Sequence, residues 1–352
     1  MTAHWMEKVL TLYQSYGYLP YKMSRFEDYD LYVRNRDFLL SQRLITFPGE
    51  DGQLLALKPD VTLSVVKNAP EAPGVVEKVY YQENVYRSPP GGGPIRELPQ
   101  AGLECVGDLS SYEEAEVLLL AALTLSALPG ESVLDLSHMG LIPQVLTSCR
   151  VTSRHRPQVL AALERKSLHG LAGIPCHNKE KLELLISCSG SPEAVLPRLK
   201  AQLTAPEEAA ALSQLERLCR ILTDSGATCR IRLDFSVSNQ LKYYNGLVFK
   251  GYTQGVPASI LSGGQYDRLP ENMGKRCRAM GFALYLDLLQ EEQPPYDLDL
   301  LILRNPRQTP EEILELTREA SREGRVLVAP QPPKNRTWKR LLDFRKGEDS
   351  PC

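Results

Sequence analysis

The sequence predicts an α+β fold in which an antiparallel sheet is flanked by helices, and three observations predict it. Two β-rich segments, "EKVYYQENVYR" and "ELPQAGLECVGD", are joined by "SPPGGGPIR", whose glycines and prolines exclude regular structure; the pair reads as an antiparallel hairpin. A helix follows at once, with Ser111 and Glu114 spaced as a capping box ahead of "AEVLLLAALTLSAL". Strands then resume, first as "SVLDLSH" and much later as "CRIRLDFSV". Strands, a capped helix and strands again define an α+β domain built on an antiparallel sheet.

Taken in order, Trp5, Val9, Leu12, Tyr13 and Tyr16 recur at helical spacing up to Gly17. "LLALKPDVTLSVVKNA" reads as a buried strand, a turn and a helix start, with Asp60 or Thr62 at the helix N-terminus. Residues 153–225 read as short helices punctuated by Gly and Pro. The best formed starts at Pro206 and sets Leu212, Leu215, Leu218, Cys219 and Leu222 on one face. The stretch Asp234–Tyr252 alternates like a pair of strands around the turn signal Asn245-Gly246, and its tyrosines suit one wall of a small-molecule pocket. A core domain over 1–295, carrying a helical insertion at about 151–226, is thus expected to precede a short C-terminal α/β segment over 296–352. That segment reads as β-α-β, its helix capped by Thr309 and Glu312 with Pro310 first, ahead of a loose basic tail.

Composition narrows the function. A formal charge of -2 with 24% charged residues argues against a general nucleic-acid binder. No apolar run approaches the ~20 residues of a membrane span, and the N-terminus lacks a signal-peptide pattern. Eight dispersed cysteines without a C-x-x-C pair suggest reduced thiols in a cytoplasmic protein and no metal site. Walker, G-x-G-x-x-G and G-x-S-x-G motifs are absent, and no cofactor is implied. Asp60, Gln100 and Glu104 are polar groups within otherwise apolar segments. An acid can pair with an α-ammonium, and Gln or Glu can hold an imidazole N–H. Tyr244 and Tyr266 can supply an aromatic wall with hydroxyl tips. Taken singly, each such residue reads more readily as an edge-strand or turn residue satisfied by the backbone.

In their order, "LALKPDVTLSV", "VYYQENVYRSPPGGGPIRELPQAGLECVG", "NQLKYYNGLVFKGY", "LSGGQYDRL" and "MGFALYLDLL" resemble successive motifs of the histidyl-tRNA synthetase catalytic domain. The resemblance spans roughly residues 5 to 290, and five ordered motifs are far more specific than one. It implies a class II aminoacyl-tRNA synthetase-like antiparallel sheet. It also implies a histidine site at Asp60, Thr62, Arg87, Gln100, Glu104, Tyr244 and Tyr266, with Arg87 receiving the carboxylate.

The departures are as informative. Asn239 stands where the family has an arginine that helps activate the carboxylate, and Gln240 and Lys242 replace Gly and Asp. Leu288 stands where an arginine grips ATP phosphates, and Gln265 replaces a further arginine. Activation needs positive charge against polyphosphate, which an amide and a leucine do not supply. Lys58 replaces an arginine, Ser24 stands near the place of a dimer-motif proline, and the C-terminal segment is shorter than the family's anticodon-binding domain. This combination resembles the regulatory-subunit family of ATP phosphoribosyltransferase. The resemblance implies a non-catalytic chain that activates a short-form catalytic subunit in the first step of histidine biosynthesis. It also implies L-histidine as the feedback ligand and a homodimer within a hetero-oligomer. Two alternatives stay open: a divergent ligase forming an aminoacyl-adenylate, opposed by Asn239 and Leu288, and a synthetase-like RNA-sensing or scaffold module, opposed by the near-neutral charge.

Overall fold

The computed structural model describes residues 4–36, 38–39, 44–50, 52–88, 93–238, 244–289 and 296–346. Helix α1 (His4–Ser15) buries Met6, Val9 and Tyr13, and Gly17 closes it at a φ of +83°, a conformation that costs glycine little. β1 (Leu19–Pro20), β2 (Phe26–Asp28) and α2 (Tyr29–Arg34) follow, then β3 (Thr46–Pro48) and β4 (Leu54–Leu57). β2, β4 and β3 form a small antiparallel sheet in that order. α3 (Thr62–Asn68) leads into the long hairpin of β5 (Val76–Arg87) and β6 (Arg96–Gly107), paired from Val76 against Gly107 to Arg87 against Arg96. The glycines Gly91 and Gly92 of its tip, expected to form a flexible loop, lie outside the described residues.

α4 (Ser111–Ser126) begins one residue earlier in its capping logic than the sequence spacing suggested. Its N-cap is Ser110: the Ser110 hydroxyl accepts from the Tyr112 N–H at 3.1 Å, and Glu113 accepts the Ser110 N–H at 2.7 Å. Both S-x-x-E registers exist in "SSYEE", and the second is unavailable because Glu114 is buried against Arg278 at 2.5 Å. Beyond α4 come β7 (Ser132–His138), α5 (Leu141–Ser148), α6 (Arg156–Glu164), α7 (Lys179–Ser187), β8 (Ser189–Gly190), α8 (Pro192–Gln202) and α9 (Pro206–Asp224). α9 buries Leu212, Leu215, Leu218, Cys219 and Leu222, the face its periodicity marks.

β9 (Arg230–Asp234), β10 (Leu247–Thr253), β11 (Leu261–Gln265), α10 (Arg268–Asn272) and β12 (Arg278–Tyr285) complete the first unit. Its main sheet runs β1-β5-β6-β12-β11-β10-β7-β9-β8, antiparallel except for β1 on β5 and β7 beside β9. The strand-pair reading of Asp234–Tyr252 is corrected in one respect. Of that stretch Phe235–Ser238 forms a 3-10 turn, and β9, which ends at Asp234, lies across β7 from β10, so the two strands are not a hairpin. β7 satisfies one hydrogen-bonding edge of each, and Gly246 gives its carbonyl to the Met139 N–H at 2.7 Å. Residues 239–243, which include Asn239, Gln240 and Lys242, lie outside the described residues.

The two faces of the main sheet differ. One packs α1, α4, α5 and α9 in a large aliphatic core that includes Leu103, Leu136, Phe249 and Phe282. The other carries Tyr81, Val248, Tyr244 and Tyr266 together with α3, in a smaller and more aromatic cluster. The two compact units are Met1–Leu289 and Gln290–Cys352. The second contains β13 (Leu298–Leu303), α11 (Pro310–Ala320), β14 (Val326–Ala329) and β15 (Trp338–Asp343) in a parallel sheet ordered β14-β13-β15. The sequence reading missed β15 and left it in a loose tail. Its "WKRLLD" does not alternate, because an edge strand exposes Leu341 and Leu342 alike. Thr309 and Glu312 do cap α11.

Ser110→Ala should therefore lower stability by about 1 kcal/mol and Ser111→Ala by only a few tenths. Urea denaturation of both variants checks the assignment, and equal losses would contradict it.

Candidate functional site

The aromatic face of the sheet holds a cavity of about 230 Å³. Its floor follows from strand register. Glu104 on β6 lies opposite Gly281 on β12, Gly102 opposite Ala283, and Gln100 opposite Tyr285. Side chains two apart share a face, so Gln100, Glu104, Ala283 and Tyr285 all reach the cavity, with Ser262 contributed by β11. Closely approaching glycines make the space. A Cβ at 281 would overlap the Glu104 carboxylate, and one at 264 would sit 2.9 Å from the Tyr244 ring.

Glu104 is the chemical centre. It is 2% exposed, its Oε1 accepts the Thr62 hydroxyl at 2.5 Å, and its Oε2 accepts the Tyr266 hydroxyl. Burial raises its pKa to about 8, against the lowering effect of those two hydrogen bonds, and Asp60 adds to the rise. Asp60 accepts the Leu63 N–H at 2.9 Å at the start of α3 and still lines the cavity. Burial raises its pKa also, opposed by backbone N–H groups and by Arg87. Asp60 therefore holds the first turn of α3 while it faces the cavity. Arg87 donates from Nε to the Pro59 carbonyl at 3.0 Å, and it is the one cationic side chain of the lining among the described residues. Gln100 is 3% exposed and its amide nitrogen has no partner among the described residues. A buried donor left unpaired costs free energy until an acceptor arrives.

The tyrosine wall is held from behind. Tyr244 and Tyr266 have ring centroids 6.4 Å apart, and Phe38 meets Tyr266 at the same distance. Asp267 pins the segments that carry them: its carboxylate accepts from Asn245 Nδ2 at 3.1 Å, Gln265 Nε2 at 2.5 Å and the Ala279 N–H at 3.0 Å. Gln265, noted for lacking a family arginine, thus serves as a strut. Leu288 packs half-buried against the aliphatic core and does not line the cavity.

All seven residues singled out from the sequence line this one cavity. Sequence reasoning missed Phe38, Leu39, Ser262 and Tyr285. The last was accessible in principle, since "GFALY" alternates and antiparallel pairing with β6 carries that alternation into the site. Phe38 and Leu39 lie outside any helix or strand, and no pattern marks them.

The fold is a class II synthetase-like sheet with a buried cavity on its aromatic face, and the family profile described as histidyl-tRNA synthetase matches residues 1–289. The chain belongs to that family, in the branch of the ATP phosphoribosyltransferase regulatory subunits. A curated relative of that name from Carboxydothermus hydrogenoformans is 30% identical over 259 residues, covering 70% of this chain and 79% of the relative. Among solved structures, an ATP phosphoribosyltransferase regulatory subunit/histidyl-tRNA synthetase from Bacillus halodurans C superposes with a TM-score of 0.75 at 21% identity, over 96% of this chain and 92% of that one. A chain of the ATP phosphoribosyl transferase complex from Thermotoga maritima gives 0.63 at 18% identity, over 81% and 97%.

Two outcomes follow from the geometry. Gly281→Ala should disrupt the Glu104 carboxylate and cost roughly 1–3 kcal/mol of stability, read by urea denaturation. Glu104 has a folded pKa of about 8, above its unfolded value of 4.5. Its favourable contribution is complete below the unfolded value and disappears as pH rises through the folded one. Glu104→Gln should therefore gain stability relative to wild type by on the order of 3 kcal/mol as pH goes from 5 to 8. A pH-independent difference would place Glu104 among ordinary carboxylates.

Proposed function

We propose that this chain is the non-catalytic regulatory subunit of ATP phosphoribosyltransferase, that it binds free L-histidine in the cavity, and that it activates a short-form catalytic subunit. The observation that carries the reading is the set of charged and hydrogen-bonding groups that line one cavity: Glu104 with Tyr266, Asp60, Arg87, and a Gln100 amide without a partner among the described residues. These groups suit an imidazole, an α-ammonium and a carboxylate respectively, with Gln100 offering its N–H to an acceptor. A polyphosphate is poorly served. The lining has one cation among the described residues, and about 230 Å³ falls below the ~300 Å³ at which drug-sized pockets begin.

The names of the relatives and the Thermotoga maritima complex support a catalytic partner in a hetero-oligomer, and a homodimer of this chain within it is part of the proposal. Feedback then follows from linkage, because histidine suppresses activity only by binding the less active state of the complex more tightly.

Pyrophosphate exchange with histidine and ATP should stay at background in the isolated protein; clear exchange would restore the ligase reading. Reconstituted with the short catalytic subunit, the chain should raise phosphoribosyl transfer to ATP, and histidine should suppress the gain. Tyr266→Ala should blunt that suppression while leaving much of the activation. An unchanged inhibition curve in an intact mutant complex would move the sensor elsewhere.

A further inference from the structure

Glu104 is unusual among the acids of the first unit. Glu114 and Glu116 are buried as deeply, but each has a cation on it, Arg278 at 2.5 Å and Lys78 at 2.6 Å. Asp135 has Arg232 at 2.5 Å, and Glu208 has Lys181 at 2.8 Å. The groups facing Glu104 come from every surrounding element. α3 and the turn before it supply Thr62 and Asp60, and β5 supplies Tyr81. The segments beside β10 and β11 supply Tyr244 and Tyr266, and β12 places Gly281 against the carboxyl. Among the described residues, all are neutral or acidic. Arg87 acts on Asp60 and Tyr81, which stand between it and Glu104 in charge terms. A buried carboxylate without a cation is costly and takes up a proton instead. With no cation on it among the described residues, Glu104 is left to take its partner from the ligand.

We propose that Glu104 and the ring nitrogen of the ligand share a single proton in the bound state, so that the pocket selects an ionisable azole and holds it most tightly near neutral pH. The inference rests on reading this cavity as the histidine site. The proton balance is explicit. Either the neutral carboxyl donates to a neutral imidazole, or the carboxylate accepts from an imidazolium; both forms contain one proton. Below the imidazole pKa the free partners together hold two protons, so binding expels one. Above the Glu104 pKa of about 8 they hold none, so binding takes one up. Affinity therefore falls on both sides of a window between about 6.5 and 8. This differs from an ordinary carboxylate site. A low-pKa acid receiving a neutral imidazole would show no loss on the alkaline side, and one receiving an imidazolium would bind best below about pH 6.5.

The test is calorimetry of L-histidine binding to the full-length protein, in buffers of different ionisation enthalpy. Relative to about pH 7.2, affinity should fall about tenfold near pH 5.5, with proton release, and about threefold near pH 8.5, with proton uptake. Glu104→Gln should remove the alkaline uptake. If that variant does not bind, the deamino analogue 3-(imidazol-4-yl)propionate on the wild type replaces it, since this probe has no α-amine to titrate. Uptake at pH 8.5 with that probe supports the shared proton. Histidine binding with no proton uptake above pH 8 overturns it while leaving the histidine site intact. Failure to bind histidine at any pH overturns the site reading itself.

Discussion

The site depends on one cross-strand pairing, Glu104 opposite Gly281. The register of β6 against β12 aims the carboxyl into the aromatic face, and the missing side chain on β12 leaves it somewhere to go. A slip of one residue would turn Glu104 toward the aliphatic core under α4, where nothing could receive it. The long hairpin of β5 and β6, whose pairing extends well beyond the cavity, makes that slip expensive. Much of the architecture on the helical side thus serves to fix where one carboxyl points.

The other buried acids are used differently. Glu114 and Glu116 join α4 to β12 and β5 through Arg278 and Lys78, and Gln214 brings α9 onto Glu114 at 2.8 Å. These pairs are internally complete, so they act as connectors between layers. Around the cavity the groups are less completely paired: among the described residues the Gln100 amide nitrogen has no partner and Glu104 has no cation on it. The contrast between satisfied acids in one layer and an incompletely satisfied acid in the other separates the scaffold from the site.

Much of this was legible in the sequence. The hairpin, α9 and the cap of α11 each obey local rules of period, turn chemistry or end-capping, and such rules survive folding. The seven cavity residues were picked out by ordered motifs and not by any local rule, since Asp60 taken alone also reads correctly as a residue at the start of a helix. What the sequence hid was non-local. Ser110 rather than Ser111 caps α4 because Glu114 is claimed by Arg278, 164 residues away. The failed hairpin at Asn245-Gly246 reflects β7 inserting between β9 and β10, which no short-range signal encodes. β15 lacks the alternation of a strand because both its faces meet solvent.

The unpaired amide of Gln100 has a consequence for the lifetime of the protein. An empty cavity contains a buried donor that water or a ligand must satisfy, so the unoccupied chain lies closer to its unfolding threshold than the occupied one. A ligand that binds only the folded state adds about 2.7 kcal/mol when present at a hundred times its dissociation constant. Near a marginal threshold, that increment changes how often the chain opens to proteases, and so its abundance. A metabolite recognised here would then set the amount of this protein as well as its state.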